Sequence, residues 1–416
     1  MPATAELLYS GLGDTSMRVF SAILFAIALT GGTSLASANH SNGGASGMNA
    51  ARGSESSLAR RPNGNHGYKL LYTFQGGSAD GEYPSTGLTA VNGALYGTTV
   101  EGGSAGAGTV FAVSASGTES VLYNFAGSPD AGYPAANLSD VNGALYGTTA
   151  GGGGGTCGSG GVGCGAIFEV STAGAESVLS TFNGPDGSTP LAALVSLHGK
   201  LYGTTESGGA EGAGSIFELS KSGKVRVLYS FTGGTDGGNP FAGLIVLNGT
   251  LYGTTFEGGT PGFGTVFTVS TSGQERVVYN FLSNGQDGEN PQAGLVALNG
   301  KLYGTTVNGG RNGYGSVFEV STSGKERVLT GDVDEPEASL IAVNGALYGT
   351  TTAGGVGDGT VFKITTSGKE DVLYNFKGGT DGRFPDGSLL DVNGALYGTT
   401  YAGGAPGFGT IFTIAP

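Results

Sequence analysis

The pentapeptide Leu-Tyr-Gly-Thr-Thr occurs seven times, beginning at Leu95, Leu145, Leu201, Leu251, Leu302, Leu347 and Leu396. The intervals are 50, 56, 50, 51, 45 and 49 residues. A period of this size marks a repeat architecture, in which each copy is one small unit that buries its apolar faces against its neighbours. It overrides the two or three separate domains that 416 residues would otherwise suggest. The 85 glycines recur at fixed places between apolar stretches, so they read as turns and not as a disordered low-complexity chain.

Each copy holds four short apolar stretches. In the first they are Leu88–Val91, Ala94–Thr99, Thr109–Val113 and Val121–Phe125. Runs of this length, rich in Val, Leu, Tyr, Phe and Thr and bounded by Gly and Asn, are strand signals. Asn-Gly joins the first stretch to the second at Asn92, Asn142, Asn248, Asn299, Asn344 and Asn393, and His198-Gly199 does so in the remaining copy. Asn-Gly suits a type I′ hairpin, which needs positive φ at both central residues. Within Thr109–Val113, Phe111 and Val113 face one way and Val110 the other, so the sheet is apolar on both sides. Such a sheet needs a layer on each face. No stretch has a helical stripe, so the layers must be neighbouring copies of the same sheet. Antiparallel hairpins fit the blades of a propeller and not the parallel rungs of a β-helix.

The chain opens with a lone strand, Leu70–Phe74, and finishes on Thr410–Ile414; elsewhere strands of these two types are consecutive. The expected fold is therefore all-β: a seven-bladed β-propeller of four-stranded antiparallel blades. The N-terminal strand completes the last blade, and that closure removes exposed sheet edges.

Three segments follow along the chain. Residues 1–38 read as a signal peptide with its true start at Met17: Arg18, the apolar run Val19–Leu29, and Ala36-Ser37-Ala38 as the cleavage site. The run is shorter than the ~20 residues that span a bilayer. Residues 39–66 read as a flexible low-complexity linker, and residues 67–416 as the propeller. No second hydrophobic span follows, so no membrane span is expected in the mature chain. The net charge of −14 argues against nucleic acid and anionic membrane as partners. A secreted protein, extracellular or periplasmic and monomeric, is expected. In an oxidising compartment Cys157 and Cys164 would form a local disulfide.

With the strands named a to d from the axis outward, the a–b and c–d turns are tight and share one face. The b–c and d–a loops are long and share the other. Long loops on a rigid scaffold are the usual seat of function. The d–a loops repeat Asp-Gly-x-x-Pro at Asp80, Asp186, Asp236, Asp287 and Asp381, with a looser version at Asp130. A ring of carboxylates would take Ca²⁺. The bland reading, Asp capping a turn whose Gly supplies positive φ, needs no cofactor and explains why the phrase recurs in nearly every blade. The b–c loops carry Gly-Gly-x-x-Gly-x-Gly, but a strand follows and no helix N-terminus, so phosphate binding is not expected. The residue before the last Gly of that pattern is aromatic at Phe263, Tyr314 and Phe408. These would form a stacking platform for sugar or peptide, with Glu101 and Glu257 as acceptors, or would fold down over blade ends.

One loop differs. After Arg327-Val328-Leu329 the usual aromatics are missing and Asp332-Val333-Asp334-Glu335-Pro336-Glu337 follows, a local cation site or a shortened loop. The three histidines are His40, His66 and His198, and no nucleophile–base or His-metal set is readable.

The phrase Leu-Tyr-Gly-Thr-Thr-x-x-Gly-Gly-x-x-Gly-x-Gly-Thr-Val-Phe stands complete at Leu251–Phe267 and recurs at Leu396–Phe412 with Ile411 in place of Val. It resembles the GloVer tandem repeat of bacterial exported proteins, over residues 67–416. The second copy departs through the Cys157–Cys164 insertion, and the copy ending at Arg327–Thr330 lacks its aromatics. Members of that family often end in surface-anchoring tails; none is visible after the last strand. The resemblance implies export and a propeller-like array, and leaves activity open. The leading expectation is a secreted or cell-surface propeller that binds an extracellular glycan or protein, without catalysis, through its long-loop face. The alternatives are a structural envelope or matrix protein with no small ligand, and a propeller-type lyase or lactonase.

Overall fold

The computed structural model describes residues 66–157 and 162–416. The leader expected at 1–38 and the linker up to residue 65 lie outside the described residues. Seven antiparallel sheets follow one another, each with its strands in the order a-b-c-d. In blade 1 these are Thr89–Val91, Ala94–Thr99, Thr109–Val113 and Glu119–Asn124. Blade 2 carries one more short strand, Ala131–Pro134, paired to Ala144–Gly152. Inner strands of consecutive blades touch, so the a strands line the axis.

Blade 7 is assembled from both ends of the chain. Leu390–Val392, Ala395–Thr400 and Thr410–Ile414 supply its first three strands, and Lys69–Thr73 supplies the fourth. The register is antiparallel, with Lys69 opposite Thr413 and Thr73 opposite Thr410. Among the described residues no helix is long and apolar enough to cross a membrane.

The repeated pentapeptide does most of the packing. Its Leu is buried in all seven blades, and Leu95 and Leu145 are 3% and 0% exposed. Its Gly is required by a close approach: a Cβ on Gly97 would lie 2.5 Å from Phe111 Cζ, and the other six copies are equally tight. In six blades that Phe in turn meets a Phe just after the d strand of the preceding blade, edge to face, as in Phe74–Phe111 and Phe231–Phe267 with centroids 5.1 Å apart. Such pairs contribute about 0.5–1.5 kcal/mol beyond their buried area. In six blades the first Thr donates across the seam to a backbone carbonyl of the next blade, as Thr204 does to Ala242 at 2.9 Å and Thr399 to Thr86 at 2.7 Å. The second Thr stays home: Thr99 Oγ1 donates to the Glu101 carbonyl and shares a hydrogen bond with Thr109. The a–b turns have the type I′ signature, with Asn92 at φ 51° and Gly93 at φ 83°; His198 takes the same conformation at φ 51°.

Candidate functional site: the axial cavity

Each d–a loop reaches the axis through a strained kink. The residue before the loop proline has positive φ in all seven blades: Tyr83, Tyr133, Thr189, Asn239, Asn290, Glu335 and Phe384, at 52–60°. Such a conformation is uncommon outside Gly. Backbone hydrogen bonds hold it. The Tyr83 N–H donates to the Phe408 carbonyl at 2.9 Å, and the Tyr83 carbonyl accepts from Val100 N–H at 3.1 Å. The Glu335 N–H likewise donates to Tyr314, and its carbonyl accepts from Thr352.

The kink delivers the residue after the proline to the centre. Ser85, Ala135, Leu191, Phe241, Gln292, Glu337 and Asp386, one per blade, all line a single cavity of about 530 Å³ at the long-loop end of the axis. Ala150, Glu206 and Ser207, from the start of the b–c loops, join them. The seven post-proline residues are seven different amino acids, on a scaffold that otherwise repeats itself.

Among the described residues three carboxyl groups line the cavity, and no lysine, arginine or histidine does. Burial, and then the Glu257 charge, push Glu206 up to about 7. Burial, and then Glu335, push Glu337 up to about 7, opposed by hydrogen bonds from Thr352 and Gln292. Asp386 is raised well above the usual carboxylate range by burial and then by Glu337. Its Oδ1 and the Oγ of Ser85, in the adjoining blade, are sealed from solvent and have no hydrogen-bond partner. An unpaired buried polar atom costs about 1–3 kcal/mol.

The residues singled out from sequence fall elsewhere. Phe263, Tyr314 and Phe408 sit at the seams between blades, where their carbonyls accept from Asn290, Glu335 and Tyr83. Phe408 packs edge-on against Tyr83 at 5.8 Å, while Tyr314 is 59% exposed. Glu101 pairs with Glu82 in a two-residue ladder, and Glu257 bridges Gly238. None of these five lines the cavity.

The loop aspartates are engaged by their own surroundings. Asp80 accepts from Tyr72 Oη at 2.8 Å and from the N–H groups of Gln75 and Gly81. Asp130, Asp236, Asp287 and Asp381 accept from Tyr123, Tyr229, Tyr279 and Tyr374 in the same way. Asp186, whose blade has Ser180 at the tyrosine position, accepts from Asn183 N–H. Among the described residues no group of three His, Cys, Asp or Glu side chains is placed to hold a metal. Cys157 and Cys164 are joined in a disulfide, and Cys157 lines the cavity.

Glu206 and Asp386 escaped the sequence reading, and Glu337 entered it only as part of an acidic loop. For Asp386 and Glu337 the available signal was a column: the position after each loop proline varies in every copy.

A family model described as the Gloeobacter/Verrucomicrobia repeat matches residues 33–246, 154–330 and 327–416. No curated protein matches. Among solved structures, PorZ of Porphyromonas gingivalis, described as an essential bacterial surface component of the type-IX secretion system, is similar at a TM-score of 0.50 and 15% identity. The match covers 82% of this chain and 47% of PorZ, so the chain spans about half the length of that relative. A gluconolactonase from Xanthomonas campestris matches at a TM-score of 0.40 and 12% identity, over 60% of this chain and 79% of its own. A second protein, described as a putative gluconolactonase, matches at 0.44 and 13%, over 84% and 91%.

Proposed function

The chain belongs to the Gloeobacter/Verrucomicrobia repeat family, and for it we propose a non-catalytic binding role: an exported ring that takes an extracellular ligand, part of a glycan or a protein, into its axial cavity. The observation that carries this reading is the contrast inside the repeat. Positions that build blades are held nearly constant through seven copies, and the post-proline position, which lines the axial cavity in every blade, differs in all seven. A purely structural ring has no use for that variation. Ligand sites are concave, mostly apolar and dotted with a few polar groups, and the cavity fits that description. Export draws support from the disulfide, from the leader-like start of the chain, and from PorZ being a surface component.

The test is a plugged cavity. Ala135→Trp puts an indole into the cavity from the residue after the loop proline of blade 2, and circular dichroism and melting check that the ring is kept. Wild-type protein, this variant and the rim triple variant Phe263→Ala/Tyr314→Ala/Phe408→Ala are compared on glycan and peptide arrays. Signals lost on plugging and kept in the rim variant are expected. Signals that survive plugging and vanish with the rim aromatics would move the site to the seams.

A further inference from the structure

This inference rests on the axial cavity being a ligand site and names the chemistry it takes. Ring order fixes where the lining groups stand. Glu337 and Asp386 belong to blades 6 and 7, with Ser85 beside them on blade 1. Glu206 belongs to blade 3. In a ring of seven, blade 3 faces the boundary between blades 6 and 7, so acidic groups oppose one another across the axis. Leu191 stands beside Glu206 on blade 3, and between the poles the wall carries Phe241 of blade 4 and Ala135 of blade 2, with Gln292 of blade 5 already hydrogen-bonded to Glu337.

Each pole lacks what a carboxyl group ordinarily finds in a protein interior. Buried charges are normally paired, and no basic side chain among the described residues reaches the cavity. At the larger pole the shortage is atomic: Asp386 Oδ1 and Ser85 Oγ are both buried without a partner, in adjacent blades, while Gln292 and Thr352 already serve Glu337. An ammonium group has three donors and no acceptor, and it suits this trio of oxygens. An anion would meet carboxyl groups there and no basic side chain among the described residues. A lone metal ion is far smaller than a cavity of about 530 Å³ and uses none of its apolar wall.

We propose that the cavity binds an extended organic dication, two ammonium or guanidinium groups joined by an apolar stem, with one group against Asp386, Glu337 and Ser85 and the other against Glu206. A free polyamine and a peptide segment bearing two basic side chains share this chemistry.

Calorimetric titration of the purified ring with four probes of one length tests it: 1,5-diaminopentane, pentylamine, 1,5-pentanediol and glutarate. The diamine is expected to bind tightest, roughly tenfold better than pentylamine for a second charge-assisted contact, with glutarate silent. Glu206→Gln should bring the diamine down to the level of pentylamine. Asp386→Asn should weaken both amines, while circular dichroism and melting stay those of the native ring. Spermidine and the peptide acetyl-Lys-Leu-Lys-amide, run alongside, distinguish a polyamine from a protein source by which binds tighter.

A diol that binds as well as the diamine, or a diamine no better than pentylamine, overturns the proposal and leaves the cavity as a site for another ligand. CaCl₂ that binds where both amines fail also overturns it, in favour of a metal. If the amines fail and the array signals survive Ala135→Trp, the cavity reading falls as well.

Discussion

The seam between blades 3 and 4 and the seam between blades 5 and 6 are built from the same repeat and held together differently. At the first, Phe231 meets Phe267, Thr204 donates to the Ala242 carbonyl, and Tyr229 Oη donates to Asp236 beside Glu275. At the second, the smaller Val333 fills the space before Phe362, Thr330 stands at the tyrosine position, and Thr305 Oγ1 is buried with no partner. Both seams keep an arginine reaching across, Arg226 to the Thr271 carbonyl and Arg327 to that of Thr366. The depleted seam is also the one whose loop, shortened to a 45-residue interval, brings Glu337 to the axis. Where seam packing and axial chemistry compete for one loop, packing has given way.

The sharpest way to break this comparison is truncation at the strong seam. Phe231→Ala should lower stability by about 3–5 kcal/mol, the range for a buried Phe. Val333→Ala at the weak seam should cost distinctly less, since less side-chain volume is lost. Urea denaturation of both variants decides; equal losses would mean that the ring distributes load evenly and that the seams do not differ.

Proton linkage comes next. Burial, and then Asp236, hold Glu275 up to about 7, well above its ordinary value of 4.5. Glu119, Glu176 and Glu326 are raised to about 7 at their own seams, burial first and the loop aspartate second. For an acid raised on folding, the native state holds the extra proton, so stability is greatest at acidic pH and falls as pH climbs from 4.5 through 7. The melting temperature should therefore drop between pH 5 and pH 8. Glu275→Gln should remove one share of that drop and leave the rest. At the seam between blades 2 and 3, Val225 and Ser180 occupy the glutamate and tyrosine positions, and that seam should contribute none of it. A melting temperature that rises over this interval would contradict the assignment.

The smallest effect is the most diagnostic, because one chemical change is made twice. Thr204→Val removes a satisfied cross-seam hydrogen bond and should cost about 1 kcal/mol. Thr305→Val removes a hydroxyl that is already orphaned, so it should be neutral or slightly stabilising. If both variants lose the same stability, Thr305 has a partner in solution and the weak seam is stronger than its geometry.

The strands, the hairpins, the blade count and the closure were all readable from sequence, because each follows from local chemistry repeated seven times. Asn-Gly dictates its own turn, and Phe111 and Val110 reveal two buried faces without reference to anything distant. Even the pentapeptide Gly has a local reason, the ring of Phe111 lying against it. The cavity was not readable in that way. Ser85, Leu191 and Asp386 are unremarked loop residues until the positive-φ kink and the closed ring bring them together across some hundreds of positions. The aromatics at Phe263, Tyr314 and Phe408 drew attention by their size, yet their backbone carbonyls serve the seams while the axis is lined by other residues. Reading down the copies, and not along one of them, separates the two classes.

Closure of blade 7 also decides which way the ring points. Lys69–Thr73 begins, and Thr410–Ile414 ends, on the tight-turn face, and the Ala415 N–H donates to the His66 carbonyl at 2.7 Å. The first and last described residues therefore meet at one spot on the side opposite the cavity. A pedestal fused there would hold the bowl upright, its opening clear of whatever it stands on.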